Sequence, residues 1–163
     1  MPKYDFARSW DIVRYVKELD KRLRKQEVLA GPLAVSSYNV AWTATTTNPS
    51  LGDGALVGRY FRSGSIVGVS INLIYGPATN PGSGEWHFSL PLAVTATASY
   101  AGSAYAEHLN NKYLGTAILE SGSSTCYVET GQATGTWDDS GSNPFAWGSG
   151  DVGVITAQYE TDQ

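Results

Sequence analysis

The side chains able to do chemistry are few: two imidazoles, His87 and His108, one thiol, Cys126, and a scatter of carboxylates. Nucleophilic catalysis needs a thiolate or hydroxyl beside a base. Cys126 lies in "SSTCYVE", which alternates like a strand, so its thiol is expected to be buried and structural rather than nucleophilic. His87 lies in "EWHFSLP" on the face of Glu85 and Ser89, opposite Trp86, Phe88 and Leu90, which puts it on a wet or interface face. His108 follows Glu107 near a turn. A zinc site draws on three or four Cys, His or acidic ligands at characteristic spacing, and no such spacing occurs. There is no Gly-x-Ser-x-Gly elbow. Glycoside hydrolysis requires two carboxylates held a few ångström apart. Glu85, Glu107, Glu120, Glu129, Asp138, Asp139 and Asp151 are available, but no pattern pairs them. The expectation is a protein that is not an enzyme, with no catalytic residues, no metal and no cofactor.

Recognition chemistry has one better candidate, the loop "TWDDSGSNPFAWGSGD". Trp137, Phe145 and Trp147 could stack on the C–H face of a sugar while Asp138 and Asp139 accept its hydroxyl protons. The alternative is that these aromatics plug the end of a β domain or pack across a contact between copies. Calcium through Asp138, Asp139 and Asp151 lacks the spacing of a calcium loop. A second glycine-rich stretch, "NPSLGDGALVGRY", invites comparison with a phosphate loop, which would open a helix. Here two strand-like runs follow, so the glycines are expected to turn the chain.

The elements that must hold these residues fall into two regions. Residues 31–163 read as β. Val67, Val69, Ile71, Leu73 and Tyr75 alternate with smaller or polar residues, the period of a half-buried strand. Further strand-like runs occupy 33–44, 55–63, 85–96 (broken at Pro91), 103–109, 112–120, 124–129 and 152–160, separated by Gly, Asn, Pro and Ser clusters. Some eight short antiparallel strands at this spacing predict a β-sandwich or jelly-roll head.

Residues 10–30 read as helix. Ser9 suits the N-cap and Asp11 the first turn. Ile12, Val16, Leu19 and Leu23 then recur at steps of four and three, the seam spacing of a coiled coil. Glu18–Arg22 and Asp20–Arg24 are acid-to-base pairs one turn apart, and Gly31-Pro32 stops the helix. Such a helix either packs on its own β domain or bundles with copies of itself as a stem, which the narrow stripe favours. Residues 1–9 and the start of the helix carry Tyr4, Phe6 and Trp10 without helical order, a composition suited to docking on a partner.

Charge follows the same division. Residues 1–30 hold eight Lys and Arg against five acids, and residues 31–163 hold three against ten. The acidic part cannot displace phosphate counterions, and the basic part interleaves its charges with acids, so nucleic acid is not an expected partner. No apolar leader opens the chain and no run of about 18 apolar residues crosses a membrane, so neither export nor membrane insertion is expected.

The tract from Trp42 to Pro91 resembles a β domain of tailed bacteriophages. Its features are "NPSLGDGALVGRYFRSG", the alternating strand and "GSGEWHFSLP", as in minor tail and tail-fibre proteins, chiefly from phages of Gram-positive hosts. The likeness covers about a third of the chain, and the helix leading into "GPLAVSSYNV" looks like a short stem. The resemblance implies a non-enzymatic virion surface protein, a homotrimer. In it Ile12, Val16, Leu19 and Leu23 would form the stem, Tyr4, Phe6 and Trp10 would anchor to other virion proteins, and the β heads would display loops to a host surface glycan. Receptor-binding fibres often have a long shaft, which this chain lacks. A capsid decoration or head-fibre protein, and below it a free lectin-like module, are the alternatives.

Overall fold

A computed structural model describes residues 13–22, 24, 34–131, 135–138 and 143–162. Nine strands form its β part: β1 (Ser36–Tyr38), β2 (Trp42–Ala44), β3 (Ala55–Ser63), β4 (Ile66–Ile74), β5 (Trp86–Ser89), β6 (Tyr100–His108), β7 (Asn111–Leu119), β8 (Thr125–Thr130) and β9 (Val152–Glu160). They join one sheet in the order β1-β3-β4-β9-β6-β7-β8-β5-β2, every pairing antiparallel.

The two end strands of that sheet are consecutive in the chain, with only Asn39, Val40 and Ala41 between them. Eight strand spacings in a flat sheet would part them by about 38 Å. Four Cα steps span at most about 14 Å. The sheet must therefore curl until its edges meet. One contact crosses from β1 to β5, the Tyr38 hydroxyl donating to the Ser89 carbonyl at 3.0 Å, while the Ala41 amide donates to Ser89 Oγ at 2.8 Å and continues the β2–β5 pairing. Burial holds the Tyr38 phenol far above its ordinary value, so the proton it donates stays in place.

One curled sheet replaces the two stacked sheets of the sandwich or jelly roll that the strand spacing suggested. Both arrangements bury alternate residues of each strand, so alternation alone does not separate them. The buried set is the one that alternation names: Val67, Val69, Ile71 and Leu73 on β4, Ile155, Ala157 and Tyr159 on β9, and Trp86 and Phe88 on β5. Ala104, Ala106 and Ala117 on β6 and β7 leave room for Trp42, Trp86 and Phe88, whose rings meet at 4.8 and 6.2 Å. β3 and β9 have the ends read from the sequence. The run at 33–44 divides into β1 and β2, since it must leave one edge and join the other. The run at 85–96 shortens to β5, which stops before Pro91.

The chain divides into two units, Met1–Leu33 and Ala34–Gln163. In the first, residues 13–22 form a short helix with every side chain exposed, Val16 and Leu19 included. Asp20 and Arg24 form their one-turn ion pair at 3.0 Å, whereas Glu18 and Arg22 form none among the described residues. Ile12, Leu23, Tyr4, Phe6 and Trp10 lie outside the described residues.

Two-residue turns join β3 to β4 and β6 to β7. The first uses Gly64 at φ 61°, and the second places Leu109 and Asn110 at φ 48° and 66°. Two positive φ values in a two-residue hairpin loop favour Asn and Gly, and Leu109 is 78% exposed, so it is strained there without a packing return. Leu109→Asn is expected to raise the unfolding free energy by about 1 kcal/mol, the left-handed cost of a branched side chain. Urea titration checks this, and an unchanged or lower midpoint would count against the strain.

Candidate functional site

The residues of the aromatic loop are brought together, and they face inward. Residues 136–138 add a short rung beside β8 and β5: the Trp137 amide donates to Val128 O, and Trp137 O accepts from the Trp86 amide, both at 2.9 Å. Trp137 is 1% exposed and its ring lies against Gly153, where an added Cβ would stand 2.9 Å from Cζ3. Phe145 is buried too, stacked on His108 at 4.8 Å and tilted against Tyr113 at 4.9 Å. Trp147 sits at the centre, with ring centroids of Phe145, Trp86, Trp137 and Tyr75 at 4.8 to 6.5 Å.

Trp137 and Phe145 thus present no free face to a sugar. The aromatics close the end of the curled sheet, the alternative weighed from the sequence. The physical reason is that a curled sheet has open ends, and this loop supplies the apolar volume for one of them. Asp138 is half-buried near Asn143, whose amide stands 3.4 Å from its carboxylate, and Asp139 lies outside the described residues.

Asp151 fixes the loop in place. Its carboxylate is 7% exposed and accepts from the Gly148 amide at 2.7 Å and meets His108 Nδ1 at 2.9 Å. Its main chain continues the tie, with the Tyr75 amide donating to Asp151 O at 2.9 Å. One buried carboxylate therefore joins the ends of β4, β6 and β9 and the loop, a polar group retained because all its partners are supplied. From the sequence, Asp151 stands only as one of the available carboxylates and as a calcium ligand. Among the described residues, no three His, Cys, Asp or Glu side chains stand close enough to hold a metal ion.

The remaining sequence candidates lie apart from this loop. Cys126 is 1% exposed and burial pushes its thiol up to about 12, which leaves no thiolate. His87 lies on the outer face, 3.0 Å from Glu85. In the glycine-rich stretch, Asp53 accepts from the Ala78 amide at 2.7 Å and Gly52 takes φ 58° against the Ala78 carbonyl, so the loop knits to residues 76–80.

The outer face carries a feature the sequence did not announce. The register aligns Ser37, Arg59, Ser70, Thr156, Ser103, Thr116 and Glu129 in one row across seven strands. Near its Arg59 end lies a shallow groove of about 540 Å³. Lys112 is held 3.9 Å from Glu107 and Arg62 donates to the Gly64 carbonyl, whereas Arg59 has no hydrogen-bond or ion-pair partner among the described residues.

With this geometry in hand, comparison by sequence is informative. The chain is similar to a prophage tail fibre protein. It is 30% identical over 133 residues to the Mu-like prophage FluMu defective tail fiber protein of Haemophilus influenzae. The match covers 77% of this chain but 20% of that protein, so the chain spans about a fifth of the length of the curated relative it matches. The first unit holds 33 residues, so a match of that extent falls mainly on the β unit. The relative belongs to a Haemophilus prophage and not to a phage of a Gram-positive host, which the sequence resemblance had favoured. No family model matches the chain, and no solved structure matches it.

The buried aromatics generate a direct test. Trp137→Ala is expected to lower stability by about 3–5 kcal/mol, the cost of emptying a fully buried tryptophan site. Guanidinium unfolding measures it, and a loss under about 1 kcal/mol would mean that the ring does not fill the core.

Proposed function

We infer that this chain is a structural, non-enzymatic segment of tail-fibre type in a phage virion, and that its role is assembly and display. The observation that carries the reading is the 30% identity over 133 residues to a protein named as a prophage tail fibre protein. The mainly β fold, with a curled antiparallel sheet and its aromatics spent on closing one end, supports a rigid structural part.

Copies of the chain assemble as a homotrimer through the helical segment. Val16 and Leu19 are 55% and 38% exposed on the described helix, apolar side chains available to pack against their equivalents in other copies. Ile12 and Leu23 extend the stripe in sequence, and Tyr4, Phe6 and Trp10 dock the N-terminus on other virion proteins. The β unit faces outward and meets host surface glycan. Because Trp137 and Phe145 are buried, that contact belongs on the outer face of the sheet and not on the aromatic loop.

Two measurements test the reading. Light scattering is expected to give three times the chain mass of 17.4 kDa, and Leu19→Asp to reduce it to one chain; a wild-type mass of 17.4 kDa would remove the trimer. Gold labelling of this chain on purified particles is expected to mark the tail, and label confined to the capsid would overturn the tail assignment.

A further inference from the structure

The groove on the outer face is built from four strands. Its position follows from Gly68, which has no side chain, so the ring of Phe61 from the neighbouring strand lies over it and fills the space a Cβ would take. An aromatic ring laid across a glycine on a sheet is held by the backbone beneath it, and Phe61 is only half-buried, so part of the ring faces the groove. Beside it stand the hydroxyls of Ser70, Thr156 and Ser103, on β4, β9 and β6, which the register places in one line with Arg59. Thr156 Oγ1 reaches the Ser103 carbonyl only at 3.5 Å, the limit of a hydrogen bond, so its capacity is largely unspent.

Three properties define what fits. The aromatic surface and the line of hydroxyls match a sugar ring, which has an apolar C–H face and polar edges. Residues 31–163 carry ten acids and three bases, and of those bases Arg59 is the one without a partner among the described residues. An unpaired guanidinium beside hydroxyls selects a carboxylate or phosphate, which it can hold by two parallel hydrogen bonds. A polynucleotide would need several cations, and among the described residues Arg59 is the one cation lining the groove. A cavity of about 540 Å³ accommodates one or two sugar rings.

We propose that this groove binds an acidic saccharide, with the sugar ring against Phe61, its hydroxyls on Ser70, Ser103 and Thr156, and its acid group on the Arg59 guanidinium. The proposal names the ligand class and the site of the glycan contact inferred above and rests on that reading.

The full chain is titrated, by calorimetry and by amide chemical shifts, with three sugars sharing one scaffold: lactose, lactose 6′-phosphate and 3′-sialyllactose. At least one acidic sugar is expected to bind at least tenfold more tightly than lactose and to weaken as salt rises, and the tighter of the two tells phosphate from carboxylate. Arg59→Met is expected to lower that affinity at least tenfold and leave the circular dichroism unchanged. Lys112→Met, which removes a paired cation elsewhere on the same face, is expected to leave affinity within twofold. The proposal is overturned if neither acidic sugar exceeds lactose, if Arg59→Met binds like the parent chain, or if Lys112→Met loses as much. Trimer mass and tail labelling involve no sugar, so a failed groove and a failed fibre assignment give different results.

Discussion

Asn39, Val40 and Ala41 impose the constraint on which the β unit depends. They join the two outermost strands of a nine-stranded sheet, and no flat or gently twisted sheet could satisfy so short a link. Once the sheet curls, its inner face encloses the core and the linked ends of its two edge strands come together. An exposed edge invites pairing with other chains, and the shortness of both edge strands, three residues each, limits that hazard. This suits a domain whose charged residues are few.

Curling also decides where function can sit. The interior must be filled, and Trp42, Trp86, Phe88 and Trp137 fill it, while Phe145 and Trp147 seal one end. Asp151 and His108 lock that seal at the ends of β6 and β9. Aromatic residues used this way are unavailable for display, however suggestive their density in a loop. The outer face, where side chains stand free of the core, is left as the surface for recognition. It is rigid because every strand beneath the groove, β3, β4, β9 and β6, is paired on both sides.

How far the sequence reveals this varies by element. Strands 55–63 and 152–160 are legible to the residue because strand-forming residues run between turn residues that bound them. The buried state of Cys126 is legible from the same alternation. Strand order and closure are not, since they depend on which edges meet. The aromatic loop is ambiguous for a different reason: packing and sugar stacking ask for the same residue types, and only burial separates them. The groove is hidden most completely. Ser70, Ser103 and Thr156 are unremarkable polar positions in three distant strands, and only the register places them in line with Arg59. Spacing alone suggests the helical stripe: Val16 and Leu19 are exposed like every other described residue of the helix, while Ile12 and Leu23 lie outside the described residues.

A shallow groove with a single cation and a few hydroxyls cannot hold a sugar tightly by itself. Little of the ligand is enclosed, and each hydrogen bond made replaces one to water. Such a site gains from repetition. Linking copies of such a site converts later contacts into intramolecular ones, and avidity can exceed a single site by about 10²–10⁴ without any new contact. A shallow groove on the outer face therefore depends on repetition more than on enclosure, since the curled sheet spends its inner face on the core.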